Sequence, residues 1–334
     1  MLHLDRVKFV SIGLSTSVLF GLSAMSVSAQ NLGSMHVAFG DIPGPDMTNF
    51  MIAVKRAEAR GVKVKVSYLQ SEDIAAQAVV SGQADIGVGT PYALIQKVKA
   101  PIRMFYQLSQ LRFYPVVNGK FYKTWKELDG ADVGVHGRGS GTEAIMQLMA
   151  KKNGIKYRTV SYVPGSAVRA GALMQGRLKV SIVDFERRRL LEKKAPGQFV
   201  FLPLPKIEAS DEALYANVNW LQKQSKAVDV LMEELLGVWR EINADPKSVV
   251  ALRDKYKVLP NLEKEDVDEI LPSFAQGVEI NLYPQNGGGA SAVKQDFEFY
   301  STSGTLKGDP STFKVEDFWY FAPLERALAK VGKK

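Results

Sequence analysis

Cysteine is absent from all 334 residues. Disulfides, zinc–thiolate sites, iron–sulfur clusters, thiol nucleophiles and cysteine-linked lipids are therefore excluded. Histidine is scarce: of three, only His36 and His136 lie beyond residue 29. No H-E-x-x-H, G-x-S-x-G or Walker sequence occurs, so the familiar layouts for zinc hydrolysis, serine catalysis and phosphate-loop binding are missing. Asp266, Asp268 and Glu269 lack metal spacing and read as a solvated helix face. No catalytic residue, metal site or cofactor is expected. Charge of one sign is not concentrated either. Lys+Arg number 43 against 35 Asp+Glu, a net +8, short of the basic block that nucleic-acid binding needs. Beyond residue 30 no segment is long and uncharged enough to span a bilayer.

What is present is ordinary for a folded chain: 46% hydrophobic and 23% charged residues, with length for two cores of moderate size. The first 29 residues stand apart. Arg6 and Lys8 precede an uncharged run from Phe9 to Val27, and Val27-Ser28-Ala29 is followed by Gln30-Asn31. This is the pattern of a secretory signal peptide cleaved near Ala29; a single membrane anchor is the alternative. Export without a lipid-bearing cysteine points to a bacterial periplasm.

From Ser34 the chain alternates strand and helix. Met35–Phe39, Val62–Val66, Ala84–Val88 and Ile102–Leu108 read as strands; Asp46–Arg60, Glu72–Val80 and a segment from Thr90 to Lys99 read as helices. The plan repeats with strands at Ala131–Val135, Arg158–Val163 and Leu178–Val183, and helices at Thr142–Asn153 and Ser166–Gln175. In both units a helix stops at a glycine, Gly82 or Gly176, and a strand starts two residues on. We expect two similar α/β lobes of parallel βαβ units. Phe113–Val117 and Leu214–Val218 bracket the second unit and are expected to be hinge strands. The lobes are then 34–115 plus 218–330, and 116–217. Helices at Ser225–Ala244, Pro246–Tyr256, Glu263–Leu271 and two more in the tail are expected to pack on the first lobe.

In such sheets ligands gather at the carboxyl ends of strands. The strongest feature there is Gly137-Arg138-Gly139-Ser140-Gly141-Thr142, which follows a strand and opens a helix. Unpaired N–H groups and the helix dipole make this an anion site with Ser140, Gly141 and Thr142; the plainer reading is a helix cap. The next strand ends without an acid, which opposes dinucleotide binding. Asp41-Ile42-Pro43, Thr90-Pro91-Tyr92 and Asp184-Phe185 share the same rim, and Tyr92, Phe185 and Tyr215 read as stacking walls or core. Arg187-Arg188-Arg189 reads as a solvated helix face or a partner contact.

Ser81-Gly82-Gln83-Ala84-Asp85-Ile86-Gly87-Val88-Gly89 resembles the SG-ADIG-G signature of periplasmic substrate-binding proteins of the nitrate/sulfonate/taurine and thiamine-precursor type of ABC importer. The run from Thr124 to Val135 is similar to that family's entry to its second lobe. The resemblance implies a type II periplasmic binding fold, two α/β lobes joined by two hinge strands around an interlobe cleft. It implies a small-molecule ligand, expected to be an anion or aromatic acid, delivered to a membrane permease. Carried onto this chain, the ligand-contacting residues are Asp41, Ile42, Pro43, Thr90, Pro91, Tyr92, Ser140, Gly141, Thr142, Asp184, Phe185 and Tyr215. Pro43 and Pro45 depart from the usual sulfonate loop. The alternatives are a TAXI-type receptor of a TRAP transporter, whose G-T-G-G opening is missing here, a sensor module, or a pyrimidine-precursor enzyme on the same fold.

Overall fold

The computed structural model describes residues 31–98 and 100–334; the signal-peptide expectation for residues 1–29 lies outside them. The first unit runs β1 (Gly33–Phe39), α1 (Thr48–Ala59), β2 (Val62–Tyr68), α2 (Glu72–Val80), β3 (Ile86–Gly89), α3 (Tyr92–Lys97) and β4 (Ile102–Gln107). The second runs β5 (Phe113–Asn118), β6 (Asp132–Val135), α4 (Gly141–Asn153), β7 (Thr159–Tyr162), α5 (Ser166–Met174), β8 (Val180–Asp184), α6 (Phe185–Lys194) and β9 (Phe199–Phe201). The chain returns through β10 (Ala213–Asn217). It ends in α7 (Val218–Lys223), α8 (Ser225–Ala244), α9 (Ser248–Tyr256), α10 (Lys264–Glu279), α11 (Ala290–Ser303) and α12 (Ala322–Val331).

Two five-stranded mixed sheets result, ordered β2-β1-β3-β10-β4 and β7-β6-β8-β5-β9. Their plans match. Three parallel strands come first, and the fourth position is an antiparallel strand that has just arrived from the other lobe. Gly82 and Gly176, the two helix stops, both have left-handed backbones (φ +76° and +71°), which glycine adopts without a Cβ penalty. The fold expected from the sequence is the one observed.

The hinge lies elsewhere than expected. Phe113–Asn118 belongs wholly to the second sheet and Ala213–Asn217 to the first. The crossings are residues 108–112 and 202–212. They pair with each other: Gln110 bridges Ser210, Leu111 N–H donates to Ala209 O, and Asp211 N–H donates to Ser109 O. Arg112 fastens them, donating from Nη1 to Ile207 O of the other crossing and from Nε to Ile280 O.

The first core forms where Val37, Phe39 and Ile52 meet the inner face of α8, with Leu231, Leu235 and Trp239. Its 3.6-residue spacing is that of an amphipathic helix. Helix α12 packs on α8, while α11 spans both lobes: its Asp296 accepts from Tyr92 of α3 on the first, and it also packs on α4 of the second. Helix α10 runs past its expected end at Leu271, through Pro272 to Glu279. Pro272 and Asp268, whose carbonyl loses its i+4 donor, are both exposed, so the interruption falls on the solvent-facing side of the helix. No helix among the described residues is long and apolar enough to cross a membrane.

Candidate functional site

The ends of β1, β6 and β8 and the two crossings converge on a cavity of about 140 Å³. Gly40 and Asp41 follow β1, His136 follows β6, and Asp184 closes β8. Gly40 is needed for the close approach, since a Cβ there would stand 2.4 Å from the Glu72 backbone. The first lobe adds Asp46, Asn49 and Glu72; the second adds Ser166, Arg169 and Glu186; the crossings add Ser109, Arg112, Asp211 and Glu212. Aromatic walls come from Phe39, Phe50 and Phe113, with Trp239 and Tyr283 from the C-terminal helices.

Of the residues expected from the sequence, Asp41, Ser140, Gly141, Thr142, Asp184 and Phe185 line this cavity. Thr90, Pro91 and Tyr215 line a smaller recess of about 80 Å³ on the other side of Glu72. Tyr92 is in neither. It is fully buried, donating to Asp296 Oδ2 at 2.6 Å and accepting from Trp319 Nε1 at 2.8 Å. Ile42 and Pro43 are exposed, Ile42 by 48%; its Cδ1 lies 3.3 Å from the Cβ that Gly165 of the second lobe would carry.

The expected anion cradle is a closed cap. Ser140 Oγ accepts from the N–H groups of Glu143 and Gly137 and donates to Gly137 O. Glu143 Oε2 accepts from Gly139 N–H at 2.6 Å, and Thr142 Oγ1 accepts from His136 N–H. This reciprocal Ser-x-x-Glu arrangement satisfies donors that an anion would need. A Cβ built on Gly141 would stand 2.3 Å from Leu111 Cδ2 and 3.5 Å from Asp211 Oδ1, so the crossings close over this end of the helix.

Acid dominates the wall. Seven carboxyl groups face the cavity against two guanidinium groups. The neighbouring carboxylates Asp41 and Asp184 push Asp46, which is exposed to solvent, up from the ordinary carboxylate range. Burial pushes Glu72 up to about 7, and burial with Asp184 and Asp46 pushes Glu186 up to about 8. Burial and then the Glu72 carboxylate raise Asp211 well above the usual carboxylate range, and burial and then Asp211 do the same for Glu212. His136 is held neutral: burial lowers its pKa, Nδ1 accepts from Gly165 N–H, and Nε2 faces Gly40 O across the lobes at 3.1 Å. The anionic ligand expected from the sequence is left open by this lining, in which carboxyl groups outnumber guanidinium groups.

Sequence reading named Asp41 and Asp184 but missed Asp46, Glu72, Glu186, Asp211 and Glu212, because nothing in a sequence gives a side chain's direction. Glu186 lies in the first turn of α6, two residues after Asp184 at the end of β8, and that neighbourhood was the available signal. The Arg187–Arg189 run is not a free face. Arg187 lies 3.7 Å from Asp266 and Arg189 2.8 Å from Glu269, with Lys194 2.6 Å from Glu265. These pairs join α6 of the second lobe to α10 of the first.

A family model described as NMT1/THI5 like matches residues 45–249, and no curated protein matches the sequence. Several solved structures share the fold. One from Bordetella bronchiseptica superposes with a TM-score of 0.71 at 17% identity, over 90% of this chain and 98% of the other. The ligand-binding component of an ABC-type import system from Staphylococcus aureus, solved with zinc bound, gives 0.66 at 15% identity over 88% and 99%. The periplasmic nitrate-binding protein NrtA from Synechocystis gives 0.66 at 12% over 90% and 89%.

Proposed function

The chain belongs to the NMT1/THI5-like family, and from that premise we propose that it is the extracytoplasmic solute-binding receptor of an ABC importer. It captures a small organic solute between its lobes and presents the closed form to a membrane permease. It performs no reaction of its own. The observation that carries this reading is the cavity at the strand ends of two topologically matched sheets, flanked by the only two crossings between them among the described residues. The import component from Staphylococcus aureus and the nitrate-binding protein support it through the shared fold.

A solute touching both walls favours the closed form because half of its contacts vanish when the lobes part. The absence of native cysteine makes a direct test simple. Val80→Cys on the first lobe and Met174→Cys on the second, both exposed, accept a donor and an acceptor dye. Solute binding is expected to raise energy transfer between them. Binding detected by calorimetry without any change in transfer would remove the clamping mechanism.

A further inference from the structure

We propose that the captured solute is an uncharged carboxamide, a small amide or lactam whose acceptors are met by Asn49 of the first lobe and Arg169 of the second. This rests on the receptor reading above and specifies the chemical class of its ligand.

Two donors in the cavity wall are left over once the protein's own hydrogen bonds are assigned. Asn49 lies in the first turn of α1 and is 4% exposed. Its Oδ1 accepts from Phe50 N–H, and its Nδ2 has no partner among the described residues. Arg169 lies in α5 and is 1% exposed. Its Nε donates to Ile182 O and its Nη1 to Val163 O, both at 2.9 Å, which fixes the guanidinium plane. Its Nη2 has no partner among the described residues. Both side chains line the cavity. Buried polar groups are normally paired, so these two donors point to an acceptor that the solute brings.

An acid matches this wall less well than an amide. A carboxylate pairs best with two parallel donors, and the wall has no such pair to spare. Arg112 spends its nitrogens on the carbonyls of Leu111, Ile207 and Ile280 and on Gln110 Oε1. Arg169 keeps a single nitrogen, and the Ser140 and Thr142 hydroxyls belong to the cap of α4. What remains on the crossings is carboxyl: Asp211 and Glu212 line the cavity, and their side chains make no hydrogen bond among the described residues. An ammonium fails in the opposite way, because it carries donors alone and leaves Asn49 and Arg169 unpaired.

A carboxamide meets both sets. Its oxygen accepts and its N–H donates, side by side. Burial and neighbouring carboxylates raise Asp211 and Glu212 well above the usual carboxylate range, so near neutral pH each presents one O–H and one C=O. That is the complement of the amide pattern, and no net charge has to be buried with the solute.

Size and placement agree. The space of about 140 Å³ is near the roughly 150 Å³ known to admit a benzene ring. Phe50, Phe113 and Trp239 supply apolar wall for the body of the molecule. Asn49 and Arg169 stand on different lobes, so the solute loses one of them when the cleft opens. That is the differential interaction closure needs.

The test uses the dye-labelled protein described above, with calorimetry on the unlabelled one. Two matched series serve as probes: butanamide, butyrate and n-butylamine, and benzamide, benzoate and benzylamine. The amides are expected to raise both energy transfer and melting temperature, and the acids and amines to leave both unchanged. Asn49→Asp keeps an acceptor for Phe50 N–H and removes the Nδ2 donor; Arg169→Lys keeps the positive charge and removes Nη2. Each is expected to weaken amide binding about tenfold or more. An acid in the first turn of a helix is favourable, so unliganded Asn49→Asp should melt close to the parent. A lowered melting temperature of unliganded Arg169→Lys would mark misfolding, and Asn49→Asp then decides alone. Closure by an acid or an amine at the affinity of the matching amide overturns the carboxamide and leaves the receptor reading standing. Undiminished amide affinity in Asn49→Asp overturns the assigned donors. Failure of every probe, charged or not, to close the labelled protein overturns the receptor reading and this inference with it.

Discussion

At the scale of single residues, the cavity acids control how stability depends on pH. Glu72 and Glu186 hold protons more tightly folded than unfolded, with values near 7 and 8. A group of this kind contributes stability that is fully present below its unfolded pKa and lost as pH rises through its folded one. The unliganded protein is therefore expected to melt at lower temperature at pH 8 than at pH 5, as calorimetric scans across that range will show. Packing is as exacting as charge. A Cβ on Gly87 would lie 2.1 Å from Tyr215 Cζ, so Gly87→Ala is expected to cost about 1–3 kcal/mol in urea unfolding.

Elements are held by their ends. Ser140 caps α4, and Ser140→Ala should destabilise the protein by roughly 0.5–2 kcal/mol while leaving solute affinity close to the parent value by calorimetry. A large loss of affinity with unchanged stability would return Ser140 to the binding surface. Pro272 leaves a gap in the hydrogen bonding of α10 on a solvent-facing side. Pro272→Ala is expected to stabilise the protein by about 1–3 kcal/mol, less any gain in unfolded-chain freedom, read as a higher urea midpoint at unchanged slope. Much at this scale was legible in the sequence. The alternation of apolar residues placed α8 within its observed bounds, and the glycine stops at Gly82 and Gly176 marked the repeat. Tyr92 shows the limit. It follows a recognisable helix start at Thr90-Pro91, yet whether it faces cleft or core depends on Asp296 and Trp319, two hundred residues away.

For the molecule as a whole, the net charge of +8 and the acidic cleft are opposite in sign. Composition averages over a surface, whereas a ligand meets only the groups that the fold turns inward. The lobes are tied by half-exposed pairs between α6 and α10, such as Arg189 with Glu269. Each is worth at most about 1 kcal/mol, which suits a clamp that must reopen. Raising salt from 0.05 to about 0.5 M, well beyond where the screening length falls under 10 Å, is expected to lower energy transfer in the unliganded labelled protein, and Arg189→Gln should mimic part of that loss.

The order of strands and helices, the twofold repeat and the family signature around Gly82–Gly89 were determined by the sequence alone, because local periodicity and turn chemistry are written in neighbouring residues. The position of the hinge, the closed cap at Ser140 and the sign of the cleft were decided only by tertiary structure. An extended segment does not state which sheet it joins, and a carboxylate does not state what it faces. Asp46, Glu186 and Asp211 lie far apart along the chain, and their mutual repulsion exists only once two lobes bring them to one cavity.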